Sequence, residues 1–182
     1  MKGFERKDQS LSLCGLNCRL CPMFFKGYCP GCGGGEGNQS CKIARCSMEH
    51  GGVEYCFQCG EYPCEKYEQF DRFDSFITHR ARGSDLEKAR QLGLAAYHAE
   101  QIEKATVLNI LLSDYDDGRR QTLFCTAVNL LDRQELQAVL RQAEKRCSLE
   151  TLTRREKGAY VSGLLEEAAA QKELDLKLRR KK

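Results

Sequence analysis

Ten of the chain's twelve cysteines fall between Cys14 and Cys64, at spacings that suit metal ligands. They read Cys14-x3-Cys18-x2-Cys21-Pro22, Cys29-Pro30-Gly31-Cys32, Cys41-x4-Cys46 and Cys56-x2-Cys59-x4-Cys64. A two-residue gap lets a tight turn aim two thiolates at one ion, and Gly or Pro supplies the turn. The same stretch holds all three prolines and ten of the sixteen glycines, with few Leu, Ile or Val, so a sizeable apolar core is not expected there. Metal–thiolate bonds are the expected substitute, since a structural zinc site contributes an apparent ~10–16 kcal/mol of folding free energy in small peptides.

The segment Met1–Ser10 has no apolar stretch of the secretory kind, and no later run approaches the ~18 apolar residues a membrane span needs. A cytoplasmic, reducing setting is therefore the expectation, in which dense cysteines hold metal; a disulfide framework belongs to the alternative of a mature secreted chain. Of the 29 basic side chains, five crowd into Lys177–Lys182, so the rest of the chain, with its 26 acidic groups, is slightly acidic. Around the cysteines Arg19, Lys26, Lys42 and Arg45 are balanced by Glu36, Glu49, Glu54 and Glu61. That balance offers no phosphate-seeking patch, so neither nucleic acid nor membrane is expected as a partner.

The run Cys14-Gly15-Leu16-Asn17-Cys18-Arg19-Leu20-Cys21-Pro22, with Lys26-Gly27-Tyr28-Cys29-Pro30-Gly31-Cys32, Cys41-Lys42-Ile43-Ala44-Arg45-Cys46 and Tyr55-Cys56-Phe57-Gln58-Cys59-Gly60-Glu61-Tyr62-Pro63-Cys64-Glu65, resembles the uncharacterised cysteine-rich family known as domain of unknown function 3795. The likeness spans Leu13 to Phe70. A second stretch, from Tyr115-Asp116-Asp117-Gly118-Arg119 through Phe124-Cys125 and Asn129-Leu130-Leu131 to Ala143-Glu144, resembles the helical part of some members. The resemblance implies metal binding and brings no established activity.

Spacing leaves the division of the ten thiols open. The local set Cys29, Cys32, Cys41 and Cys46 is the simplest four-thiolate zinc site. Cys14, Cys18, Cys21, Cys56, Cys59 and Cys64 could then form a second four-thiolate site with two spare thiols, or a six-cysteine site sharing two ions, because loop-closure cost grows only logarithmically with length. An interleaved pairing of Cys29 and Cys32 with Cys56 and Cys59 fits the spacing too. Two or more zinc ions are the expected cofactors, with an iron–sulfur cluster as the alternative. Cys14-x3-Cys18-x2-Cys21 is also an iron–sulfur spacing, and soft thiolates serve both metals. His50, between Cys46 and Cys56, is a candidate substitute ligand, while His79 and His98 stand at no ligand spacing. Phe24, Phe25, Tyr28, Tyr55, Phe57 and Tyr62 read as a miniature core among the ligands. Gly33-Gly34-Gly35-Glu36-Gly37 has no following Lys-Ser/Thr and reads as slack between Cys32 and Cys41.

Beyond Glu65 the hydrophobic period changes to 3.6. Phe70, Phe73, Phe76 and Ile77 suggest one helical stripe, and Ser84-Asp85-Leu86-Glu87 reads as a capping box opening a helix to Leu112, with a break allowed. Leu123, Phe124, Ala127, Val128 and Leu131 mark the next helix. Asp132 with Glu135 caps another, whose Leu136, Val139, Leu140 and Ala143 face inward. A last helix is expected from Thr151 to near Leu176, with Val161, Leu164, Leu165 and Ala168 inward. Cys125 and Cys147 lie on or beside apolar faces and read as small core residues. Arg119 and Arg120, placed in a first helical turn after Asp116-Asp117-Gly118, are candidate anion ligands, with pairing to those aspartates as the plainer account. The basic end reads as a solvated tail.

The fold expected is mainly α: an irregular, metal-stapled, cysteine-rich module over residues 1–66, packed on a small helical bundle with a basic tail over 67–182. No catalytic motif is present, and zinc sites closed by cysteines are structural, so a binding or scaffold module with a protein partner is the functional expectation. An iron–sulfur redox or enzyme-accessory protein, and a metal-handling or thiol-redox protein, are its rivals.

Overall fold

The computed structural model describes residues 2–35 and 41–181. The chain divides into two compact units, Met1–Tyr97 with Arg179–Lys182, and His98–Leu178. It is mainly helical, and among the described residues the only β pairing is an isolated bridge between Leu11 and Asn17. No helix among them is long and apolar enough to cross a membrane.

The first unit holds two short helices, α1 (Pro22–Phe25) and α2 (Lys42–Glu49), and then α3 (Arg82–Leu92) and the first turn of α4 (Leu94–Ile110). Its cysteine segment contributes to a small apolar core and no sizeable one, as its composition leads one to expect. Phe4, Leu13, Cys14, Ile43 and Ala44 form one cluster, and Leu11 and Tyr55 form another with Leu86, Ala89 and Tyr97. The second cluster explains why the unit runs past residue 66: the cysteine segment has too few large apolar residues of its own and takes three from α3 and α4. Arg6 pins these layers. Its side chain is 1% exposed and pairs with Glu54 at 3.6 Å. It donates to the carbonyls of Glu54 (2.9 Å), Leu11 (3.0 Å) and Cys32 (3.3 Å). Each of these strands of chain is irregular, so its carbonyls need a partner from outside the backbone.

Four local expectations in this unit are corrected. Residues Phe70–Ile77 form turns and no helix; Phe76 is 60% exposed, and only Ile77 of that stripe is fully buried. The cause is competition from Asp74, whose carboxylate accepts the backbone N–H groups of His79 (2.8 Å) and Arg179 (2.7 Å), holding the segment in a local turn. The basic end is correspondingly docked: Asp74 N–H donates to the Arg179 carbonyl at 2.8 Å, and Arg180 donates to Ser75 O at 2.9 Å. Ser84 does not cap α3, which starts two residues earlier; its hydroxyl donates to Ala81 O. Nor is Gly33-Gly34 slack. Arg6 N–H donates to Gly33 O at 3.2 Å, and a Cβ on Gly33 would sit 2.8 Å from Arg6 N. Glu36 and Gly37 of that run lie outside the described residues.

The second unit contains the rest of α4, a π-helical turn at Leu111–Tyr115, α5 (Gln121–Leu130), α6 (Arg133–Leu149) and α7 (Arg154–Ala170). The allowed break before α4 falls at Gly93, whose φ of +83° ends α3 without a Cβ penalty. Asp132 accepts Glu135 N–H and Glu135 accepts Asp132 N–H, the reciprocal cap expected; Thr153 and Glu156 repeat it at α7. Phe124, Ala127, Val128, Leu131, Leu136 and Ala143 are buried as the 3.6 period requires. Helix α7 stops at Ala170, short of Leu176, and buries Ala169 where Ala168 was expected. The π-turn's free carbonyls are taken by Arg154, which donates to Asp116 O (2.6 Å), Ser113 O (2.5 Å) and Leu112 O (3.3 Å).

Candidate metal centre

None of the twelve cysteines is joined in a disulfide; Cys14, Cys18, Cys21 and Cys125 are buried and the others half-buried. Eight of the ten in the N-terminal unit fall into two neighbourhoods, with Cys14 and Cys41 beside the core. In the first, Cys21 sits at the start of α1 and its N–H donates to Cys18 O at 2.9 Å. Cys29 is drawn back over α1 by its N–H bond to Met23 O (2.9 Å) and comes within electrostatic reach of Cys21. Cys18 lies within electrostatic reach of Cys32, Cys14 and Cys21, and the Cys32 backbone N–H bonds to it. Arg6 is the cation beside Cys32.

Elsewhere a cleft is lined by Cys46 of α2, by His50 just past that helix, and by Cys56, Cys59 and Cys64. His50, just past the end of α2, sets its Nδ1 2.8 Å from the Cys46 carbonyl and 3.6 Å from the Cys46 Sγ. The Cys59 N–H donates to Cys56 O at 3.0 Å, closing the two-residue turn that presents both thiols. Cys56 faces Cys14, Cys64 and Cys46, and Lys66 stands near Cys46 and Cys64. The edge-on pair Tyr62–Tyr67, with centroids 5.2 Å apart, walls this cleft. Cys14 therefore lies between the two groups, held by Ser12 Oγ at 3.2 Å, while Cys41 packs at the core beside Cys14 and Ile43.

The local set expected from spacing is thus divided: Cys29 and Cys32 keep company with Cys18 and Cys21, and Cys46 with Cys56, Cys59 and Cys64. Among the described residues no group of three or more His, Cys, Asp or Glu side chains is placed so that it could hold a metal ion. Three CxxC pairs, Cys18-Cys21, Cys29-Cys32 and Cys56-Cys59, supply reduced sulfur, the donor type that thiophilic ions take. Burial pushes the thiols of Cys18, Cys21 and Cys32 upward, and that of Cys56 to about 12, so these groups hold protons until a cation displaces them. An activated redox thiol shows the opposite shift.

The remaining candidates have structural partners. Tyr55 stacks on Phe57 at 5.2 Å and donates to Asp8 at 2.6 Å, whereas Phe25 and Tyr28 are exposed rather than core. Arg119 and Arg120 precede α5. The Arg120 guanidinium donates to Ser162 Oγ at 3.0 Å and lies 3.5 Å from Asp117, with Asp116 accepting the Arg120 N–H at 2.9 Å. Cys125 is 1% exposed within α5. Sequence reasoning missed Arg6, Lys66 and Tyr67; a buried arginine and a charge placed by a turn leave no periodic trace.

Fold and site together define a thiol-dense, irregular module joined to a helical bundle. Residues 10–69 match the family model described as "Protein of unknown function (DUF3795)", which covers the cysteine module and stops short of the second stretch at Tyr115–Glu144. Comparison with curated proteins and with solved structures gives no match.

Proposed function

We propose that the N-terminal unit is a metal-stapled binding or scaffold module in which cysteine thiolates hold structural zinc. The observation that carries this reading is the gathering of eight cysteines in two neighbourhoods of one small unit, with Cys14 and Cys41 beside its core. When bound, the ion would cross-link segments that share few apolar contacts. The chain's own residues supply the rest: Arg6 ties residues 6, 11, 32 and 54 together, and the Cys18–Cys21 and Cys56–Cys59 turns present paired sulfurs. A closed thiolate set leaves no open coordination position for chemistry, which favours a partner-binding role over catalysis.

The test is chelation of the full chain followed by hydrogen exchange and limited proteolysis. Stripped protein is expected to lose protection throughout residues 11–64 while α5 to α7 keep theirs. Equal protection with and without metal in the cysteine segment would contradict the proposal. One observation favours a second reading, an iron–sulfur cluster: Cys14, Cys18 and Cys21 are the most shielded thiols of the module, as a solvent-excluded cluster requires. Visible absorption near 400 nm with stoichiometric sulfide would establish it in place of zinc.

A further inference from the structure

We propose that the turn over Asp71–Ser75 is a receptor for a peptide segment carrying an arginine pair, which the chain fills in cis with its own Arg179 and Arg180. No cysteine takes part, so the proposal stands apart from the metal reading. The chain leaves the N-terminal unit after Tyr97 and re-enters it at Arg179, so the docked segment and the turn belong to one compact unit. Asp74 divides its carboxylate between two tasks. Its Oδ1 is met from within the turn, by His79 N–H at 2.8 Å and Thr78 Oγ1 at 3.4 Å. Its Oδ2 accepts Arg179 N–H at 2.7 Å, and the Asp74 N–H donates to the Arg179 carbonyl at 2.8 Å. One residue thus grips both main-chain groups of the incoming one, which is how an extended peptide is read along its backbone.

Side chains add the selectivity. Arg179 Nη2 donates to Asp71 O and stands 3.6 Å from Asp74 Oδ1, and Arg180 Nη1 donates to Ser75 O at 2.9 Å. Both carbonyls lie in irregular chain and need donors from outside it. A guanidinium serves a carbonyl and a carboxylate together, whereas an ammonium is a point charge, so lysine is the poorer ligand. With Arg179 in place the Asp74 side chain has no exposed surface, and Asp71 Oδ1 is buried without a hydrogen-bond donor among the described residues. A vacated site therefore presents two carboxylates and two carbonyls short of donors, which a second arginine segment satisfies as the chain's own does. Tethering holds the cis segment at an effective concentration on the order of mM, so it masks the site until a stronger arginine ligand displaces it.

The test titrates the full chain into a fluorescently labelled peptide of sequence Lys-Leu-Arg-Arg-Lys-Lys, that of residues 177–182, read by anisotropy. Wild type is expected to bind it only at roughly millimolar concentration, because its own segment competes. In Arg179→Glu/Arg180→Glu, Asp71 and Asp74 repel the cis segment, and binding is expected to tighten about tenfold or more. Changing both peptide arginines to lysine should weaken that binding about tenfold. Adding Asp74→Asn, which keeps an acceptor for the turn, should abolish it. Equal affinity in wild type and the charge-reversed variant would overturn the proposal. So would equal binding of the lysine peptide, or no binding by a variant whose Tm matches wild type. Where the variant fails to fold, the wild-type chain decides the matter. Excess arginine peptide should speed hydrogen exchange at the Arg179 amide, and an unchanged rate overturns the proposal. A wild-type dimer that the peptide dissociates would give the site to a second copy's segment and overturn the assignment in cis.

Discussion

Replacing Arg6 by Met removes the pin of the N-terminal unit while keeping most of its volume. The guanidinium gives up three hydrogen bonds, to Glu54 O, Leu11 O and Cys32 O, together with an ion pair to Glu54 and a cation–π contact 5.1 Å from the Tyr55 ring. A charge-assisted hydrogen bond is worth about 1.5–3 kcal/mol net, and a buried carbonyl left without a donor costs about 1–3 kcal/mol. The Leu11 bond is the fully buried one. Allowing the two part-buried carbonyls to find water, and Met to recover some packing, the net loss is about 3–4 kcal/mol. That is a large part of the 5–15 kcal/mol typical of a domain, reckoned on the order of magnitude. The assay is urea unfolding of metal-loaded protein followed by hydrogen exchange at residues 4–13 and 53–58. Arg6→Lys should recover less than half, because a single ammonium does not fork to three carbonyls. If Arg6→Met falls within 1 kcal/mol of wild type, on the order of an exposed-site change, the pinning argument is wrong.

Gly158→Ala would place a Cβ 2.3 Å from Tyr115 O, a backbone atom, so it is expected to destabilise the second unit by about 2 kcal/mol in spite of alanine's better helix propensity; a gain in Tm would refute this. Asp132→Ala removes the cap bond to Glu135 N–H and should cost about 1 kcal/mol, seen as a lower urea midpoint with unchanged slope. Its exposed pair with Lys172 adds little. His79 is held down to about 4 from an ordinary 6.5, first by burial and then by Arg82. The folded form therefore keeps the ring neutral where the unfolded chain takes up a proton. Stability is full above pH 6.5 and falls as pH drops through 4. After allowance for solvent access the loss is about 1–2 kcal/mol. His79→Gln should flatten that slope in acid titrations, and an unchanged slope would remove His79 as its source.

Helix caps and periodic faces of the second unit were legible because they are local. Asp132-x-x-Glu135 and the Phe124–Leu131 stripe each specify their element within a dozen residues, and α5 and α6 form as read. The Phe70–Ile77 stripe misled because periodicity says nothing of Asp74, whose carboxylate bonds to backbone 105 residues away at Arg179 as well as nearby at His79. The same long-range partner turned an expected solvated tail into a docked one. In the cysteine module the ligand candidates were legible from spacing, but their grouping was not. Sequence distance favours joining Cys29 and Cys32 to Cys41 and Cys46, while the return of Cys29 over α1 and the placement of α2 beside Cys56 and Cys64 separate them.

Metal identity and stoichiometry in anaerobically purified, full-length protein test the central claim most directly. Elemental analysis with acid-labile sulfide and a visible spectrum should find about two zinc ions per chain, no sulfide and no colour, as two four-thiolate sites require. A metal-free chain that keeps the fold of residues 11–64, or brown protein with matched iron and sulfide, would contradict it.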